Sequence, residues 1–384
     1  MLWHVALNSL RFFAVNFMKG IIVLRDGTLL EGEGFGAQGE ACGELVFNTG
    51  MAGYQECLTD PSYKYQILMP TYPLIGNYGV CPERFESDHI QVEGFVVREL
   101  CEHPSHIPFL KDLKSWIEEE GIVGLQGVDT RMLTRKIRDA GVMNAIIATG
   151  DNFDRDELIA KAKELKSISE IDLVEKVTVK KPVIHAPMGE KKGRMALIDC
   201  GVKGSIIKNL VDRGCEVIQV PAKTSAKDIL DYSPDGIMIS NGPGDPERAG
   251  DIVANIKTLI DTQMPVFGIC FGNQLVGRAF GADTYKLKFG HRGGNQPVKE
   301  LPTGRVYITS QNHGFAIEAS SLPTDEVEVT HINLNDQSVE GIAHKSLPVR
   351  TVQYHPEAHA GPWDSKYLFD DFIQIMKEAN FQKR

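Results

Sequence analysis

The sequence contains no cysteines at C-x-x-C spacing; its seven, Cys42, Cys57, Cys81, Cys101, Cys200, Cys215 and Cys270, are scattered along 384 residues. An odd, dispersed set suggests neither a disulfide framework nor a structural zinc site. Positive charge is also short: 41 Lys+Arg stand against 51 Asp+Glu, a formal net charge of −10. That balance argues against nucleic acid as a partner, because phosphate neutralisation needs a clustered Lys/Arg surplus. No apolar run approaches the roughly 18 residues of a membrane span, so no membrane association is expected. Internal repeats and low-complexity tracts are absent too. What remains is the make-up of an enzyme-like chain, 42% hydrophobic and 24% charged, long enough for two or three domains with real cores. A reduced, cytoplasmic protein is predicted.

The first eighteen residues, MLWHVALNSLRFFAVNFM, do not match the rest. A signal peptide needs an early positive region, an unbroken apolar stretch and a small-residue cleavage site. Here Arg11 sits mid-segment and Asn8, Ser9 and Arg11 break the apolar run. The favoured reading is a leader at 1–17 outside a fold that starts at Met18; an ordered packing helix and a targeting segment are the alternatives.

Residues 18–176 read as a mixed α/β domain rich in short strands. Ile21–Leu24 and Thr28–Leu30 form a hairpin across Asp26-Gly27, and Leu45–Phe47, Gln66–Met69 and Phe95–Val97 are further strands. Leu110, Leu113 and Ile117 fall at helical spacing, Asp129 is placed to cap a helix carrying Leu133 and Ile137, and a helix from about Asp154 holds Leu158, Ala162 and Leu165. The basic run Arg131, Arg135, Lys136 and Arg138 reads as a solvated helix face, with partner contact as the alternative. Residues 177–193, with Pro, Gly and lysines and no periodicity, are taken as a linker. From 194 to 384 short apolar runs (Ala196–Ile198, Val217–Val220, Ile237–Ile239, Val266–Ile269) alternate with amphipathic helical patterns such as Ile252, Ile256, Leu259 and Ile260. That alternation predicts a mainly parallel sheet flanked by helices. More β-like runs follow at Val306–Thr309, Val327–His331 and Val349–Gln353, and a last helix carries Phe369, Phe372, Ile373 and Met376.

Chemistry concentrates in this second half. Gly268-Ile269-Cys270-Phe271-Gly272 follows a strand and precedes a helical run, which is the G-x-S-x-G nucleophile elbow with cysteine in the serine position. The helix behind the sulfur presents its positive end and favours thiolate. Asn241-Gly242-Pro243-Gly244 after the strand Ile237–Ile239 can offer backbone N–H groups, so an oxyanion hole from the N–H of Phe271 and of Gly244 is expected. In Gln353-Tyr354-His355-Pro356-Glu357 the extended chain puts His355 and Glu357 on one face, a base and its orienter. His313, in Gln311-Asn312-His313-Gly314-Phe315, is the competing base.

These segments together resemble the class I (triad) glutamine amidotransferases. Phe47–Glu56, Leu58–Tyr63 and Asp129–Arg135 are similar to the N-terminal domain of carbamoyl-phosphate synthase small subunits, so the resemblance runs from Met18 to the C-terminus. It implies a catalytic triad of Cys270, His355 and Glu357. The implied L-glutamine contacts are Gly50, Gly242, Gly244, Phe271, Gln274, Asn312, Gly314 and Phe315. It further implies ammonia delivery to a large synthetase subunit that makes carbamoyl phosphate for arginine and pyrimidine biosynthesis. On this reading the chain holds no cofactor or metal, and ATP and Mg2+ act in the large subunit. Two positions depart from the family's usual pattern: Phe271 stands where Leu is common, and Asn273 where His is common. Some relatives have Ser at the position of Gly50. The rival readings are a stand-alone cysteine hydrolase and a binding module with a dead site; glutamine hydrolysis by the purified chain separates them.

Overall fold

The computed structural model describes residues 18–106 and 109–382; the leader expected at 1–17 lies outside the described residues. In the first half, seven strands close into a barrel. Their order is Lys19–Leu24, Leu29–Gly36, Val123–Gln126, Gly94–Val96, Gln66–Pro70, Gly39–Asn48 and Met143–Thr149, the last pairing back onto the first. Side-chain alternation sends the two faces of these strands to different neighbours. Ile22, Leu45, Ile67 and Ile147 pack with Leu133 and Ile137, while Val46, Leu68 and Phe95 pack with Leu113, Trp116 and Ile117.

The helix Thr130–Ala140 starts where Asp129 accepts a hydrogen bond from the Met132 N–H at 2.9 Å. The stripe expected at Leu110, Leu113 and Ile117 is shorter than its spacing suggests. Asp112 caps the helix by accepting from the Ser115 N–H at 2.8 Å, so the helix spans Leu113–Glu119 and Leu110 stays exposed ahead of it.

In the second half ten strands form one sheet. Their order is Val183–His185, Cys215–Pro221, Gly193–Asp199, Gly236–Ile239, Val266–Ile269, Val349–Val352, Val339–His344, Val327–Asn333, Thr284–Glu300 and Val306–Ile317. The five strands from Cys215–Pro221 to Val349–Val352 are parallel; every other pairing is antiparallel. Helices cover both faces of the parallel part. Leu197, Met238, Phe267 and Ile269 pack on Ile206, Leu210, Phe369 and Phe372. Ala196, Ile198, Ile237 and Ile239 pack on Ile252, Ile256, Leu275 and Val276. The stretch 177–193 is not featureless, since Val183–His185 adds an edge strand against Val217–Gln219. The strand Thr284–Glu300 is hidden in the sequence because it is interrupted twice, with register shifts between Lys286 and His291 and between Gly293 and Gln296.

Loops of the barrel lie against the sheet where its parallel strands end. Asp60 accepts from Asn312 Nδ2 at 2.9 Å, Ser62 Oγ accepts from Asn241 Nδ2 at 2.8 Å, and the Thr49 N–H donates to the Arg292 carbonyl at 3.0 Å.

Candidate active site

Ligand sites in open α/β sheets form at the carboxyl ends of parallel strands. The strand Val266–Ile269 ends there on Cys270, whose φ of 55° and ψ of −101° place a non-glycine residue in strained backbone at the start of the helix Phe271–Ala279. Two glycines make the turn possible. A Cβ on Gly268 would lie 2.7 Å from the Gly272 carbonyl, and one on Gly272 would lie 2.3 Å from the Ile239 carbonyl oxygen. The Cys270 N–H donates to the Val352 carbonyl at 2.8 Å, and its sulfur sits 3.6 Å from both the Asn312 carbonyl and Gln353 Nε2.

The chain leaving Val349–Val352 carries the imidazole. His355 is fixed by its N–H to the Ser310 carbonyl at 2.9 Å, and its Nδ1 lies 2.7 Å from Glu357 Oε1. Its Nε2 is buried without a hydrogen-bond partner. Burial opposes charge on His355, but the Glu357 carboxylate and then Cys270 hold its pKa up at about 10. Burial likewise opposes ionisation of Glu357, yet Lys203, and then His355, bring it down to about 2. Lys203 Nζ is 3.0 Å from Glu357 and 3.3 Å from Glu86 of the barrel half.

His313 is turned elsewhere. Its Nδ1 lies 2.8 Å from the Phe315 carbonyl, and its Nε2 3.0 Å from Gln311 Oε1 and 3.2 Å from His291 Nδ1. Burial keeps it neutral, with its pKa well below the usual histidine range.

Gly242, Gly244, Phe271, Gln274, Asn312, Gly314 and Phe315 line one narrow cavity with Cys270. Its free space is a small fraction of that in the cleft beside it. Gln274 Nε2 donates to the Phe315 carbonyl at 2.8 Å. Gly50 is not in this cavity. It lines a neighbouring cleft of about 560 Å³ together with Lys203, His355 and Trp363, and Asn312 belongs to both spaces.

Several residues at the site carry no flag in the sequence. Arg292 lines the narrow cavity, is 4% exposed, and has an Nε without a partner. Gln353 accepts from Asn273 Nδ2 at 3.0 Å and from Gln274 Nε2 at 3.2 Å, while Asn273 accepts from Thr351 Oγ1 at 2.6 Å. Asn273 therefore braces the amide beside the sulfur from a fully buried position. Lys203 and Glu86 lie far from the elbow in sequence, and no local pattern marks either of them.

Residues 22–147 match the family described as carbamoyl-phosphate synthase small chain, CPSase domain. Residues 196–375 match the family described as glutamine amidotransferase class-I. The chain is 55% identical over 361 residues to the carbamoyl phosphate synthase small chain of Methanocaldococcus jannaschii, covering 93% of this chain and 99% of that one. It is 52% identical over 361 residues to that of Archaeoglobus fulgidus, covering 94% and 99%. Against that of Methanopyrus kandleri the identity is 49% over 364 residues, covering 94% and 100%. Among the described residues no helix is long and apolar enough to cross a membrane.

Proposed function

Since the chain belongs to the carbamoyl phosphate synthase small-chain family, we propose that it hydrolyses the side-chain amide of L-glutamine and passes the ammonia to a large synthetase subunit. Carbamoyl phosphate is made there from bicarbonate, with ATP and Mg2+. The observation that carries this reading is the elbow cysteine lining a cavity with Gly244, Phe271 and Gln274, next to a His355 that feels its charge and is held 2.7 Å from Glu357.

In the proposed cycle the Cys270 sulfur attacks the amide carbon, and its proton resides on His355, where Glu357 stabilises the imidazolium. The N–H groups of Phe271 and Gly244 hold the oxygen as it gains charge. His355 gives its proton to the departing nitrogen, the C–N bond breaks, and a thioester and ammonia result. Water then attacks the thioester with His355 as base, releasing glutamate and restoring the thiol. Gly242, Gln274, Asn312, Gly314 and Phe315 take the rest of the substrate, and the Arg292 guanidinium faces its α-carboxylate. Gly50 completes the site from the adjoining cleft, which His355 and Asn312 also line. The decisive variant is Cys270→Ala. In complex with the large subunit it is expected to lose glutamine-dependent synthesis while free ammonia still supports carbamoyl phosphate formation. Wild-type glutaminase activity in Cys270→Ala would remove the assignment.

A further inference from the structure

Beside the narrow cavity, which His313 also lines, three strands bring together side chains to which the proposed hydrolysis gives no chemical step. His291 on Thr284–Glu300 and His313 on Val306–Ile317 are cross-strand neighbours, and Glu340 lies on Val339–His344. We propose that His291, His313 and Glu340 form a site for a divalent ion of zinc-like chemistry. His291 Nδ1 and His313 Nε2 are 3.2 Å apart, and Glu340 Oε1 lies 3.5 Å from the first and 3.9 Å from the second. Ligand atoms at about 2.0–2.1 Å from a tetrahedral zinc stand roughly 3.3 Å from one another, so the triangle is already close to ligating size.

The hydrogen bonds around the triangle assign the lone pairs. Phe315 offers His313 Nδ1 a carbonyl at 2.8 Å, so Nδ1 carries the hydrogen and Nε2 is left as an acceptor. Asp336 sits 2.9 Å from His291 Nε2, which places a hydrogen there, while Nδ1 faces His313 Nε2, Glu340 and, at 3.4 Å, Asn333 Nδ2. Burial opposes charge on this ring, but the two carboxylates hold its pKa up at about 9, so a bound ion takes the place of a proton on Nδ1. This pattern, each ring held from behind by a carboxylate or a carbonyl, is how metal-bound imidazoles are oriented. Gln311 Oε1 adds another acceptor 3.0 Å from His313 Nε2. Glu340 is wholly buried; Asn333 Nδ2 steadies its Oε1 at 3.0 Å, while its Oε2 has no partner. A proton shared between the rings satisfies one of these acceptors at a time. A cation satisfies them together, with Gln311 or water as fourth ligand. Two imidazoles and one carboxylate suit zinc, cobalt or nickel rather than magnesium or calcium. The three ligands are widely separated in sequence with no ligand spacing, which is why the sequence predicts no metal. An ion there would pin His313, and through the Phe315 carbonyl the strand that also anchors Gln274.

The test uses the full chain, stripped with a chelator and titrated with Zn2+ under metal analysis and calorimetry. One ion per chain is expected, with a rise in Tm. Co2+ substituted for zinc should give the visible bands of a tetrahedral nitrogen–oxygen site and no thiolate charge-transfer band. Glu340→Gln and His291→Asn should each weaken binding by at least ~10-fold, and Asp336→Asn, which removes only the outer partner, by ~10-fold. Should the buried variants fail to fold, the Asp336→Asn titration and the cobalt spectrum of the wild type decide. Absence of stoichiometric binding, a thiolate band marking a cysteine site, or unchanged affinity in Asp336→Asn would each overturn the proposal.

Discussion

Single side chains at the elbow act through charge as much as through contact. His355 is raised from 6.5 to about 10, so the stability contributed by its partners is complete below pH 6.5 and is lost as pH climbs through 10. Glu357 is lowered from 4.5 to about 2, so its contribution is present above pH 4.5 and is lost as pH falls through 2. The stability of the wild type relative to Glu357→Gln is therefore expected to peak between pH 4.5 and 6.5 and to decline toward pH 10. Urea melts of both proteins at stepped pH check this, and a difference that widens above pH 6.5 contradicts it. Arg292 makes a different prediction. A charge-assisted hydrogen bond contributes about 1.5–3 kcal/mol, and the α-carboxylate is remote from the breaking bond. Arg292→Met should thus raise the KM for glutamine by ~10–100-fold with a smaller change in kcat; an unchanged KM would show that the guanidinium serves the fold alone. Residues flagged by sequence were those with local grammar: a cysteine between two spaced glycines, a histidine two positions before a glutamate. Arg292, Lys203 and Gln353 have no such grammar. Their importance arises from burial, and burial depends on strands far away in the chain.

At the scale of elements, the elbow depends on how closely two backbones approach. Gly272 has no room for a side chain, because the obstructing atom, 2.3 Å from the ideal Cβ, is the Ile239 carbonyl oxygen rather than a flexible side chain. Gly272→Ala should cost ~1–3 kcal/mol and most of the glutaminase activity. Gly250→Ala, where a Cβ meets nothing within 4 Å at the start of a helix, should be neutral or stabilising by up to ~1 kcal/mol. Equal urea midpoints for the two variants would mean that the elbow can relax. Short apolar runs and caps made most elements readable, Asp129 and its helix among them. Closure of the barrel was not readable, since Lys19–Leu24 meets Met143–Thr149 only through a long-range pairing. The bulged strand Thr284–Glu300 lost its period-two signal at the very places where it bends toward the site.

For the whole molecule, the two halves touch through polar groups that lead to the reacting centre. Asp60 holds the Asn312 amide, and Glu86 shares Lys203 with Glu357. A partner that displaces the barrel loops can thereby bias the proposed triad, provided it binds the active arrangement better by ~1–3 kcal/mol. The isolated chain is expected to be a slow glutaminase, accelerated by the large subunit and further by its ATP and bicarbonate. Steady-state assays with and without that subunit decide the matter, and equal kcat values would deny the barrel a coupling role.

Closing the first-half strands into a barrel also bears on how the chain behaves in crowded solution. A closed barrel has no unpaired strand edge to recruit another chain. The ten-stranded sheet keeps two, and they are unequal. Val183–His185 offers three residues with Val183 and Ile184 exposed, whereas Val306–Ile317 is open only at its first residues, where Val306 and Ile308 are exposed, because the Ser310 and Phe315 carbonyls accept from the His355 N–H and Gln274. Self-association of the purified chain should therefore begin at these short open stretches, and Ile184→Lys with Ile308→Lys is the simplest change to improve its solubility.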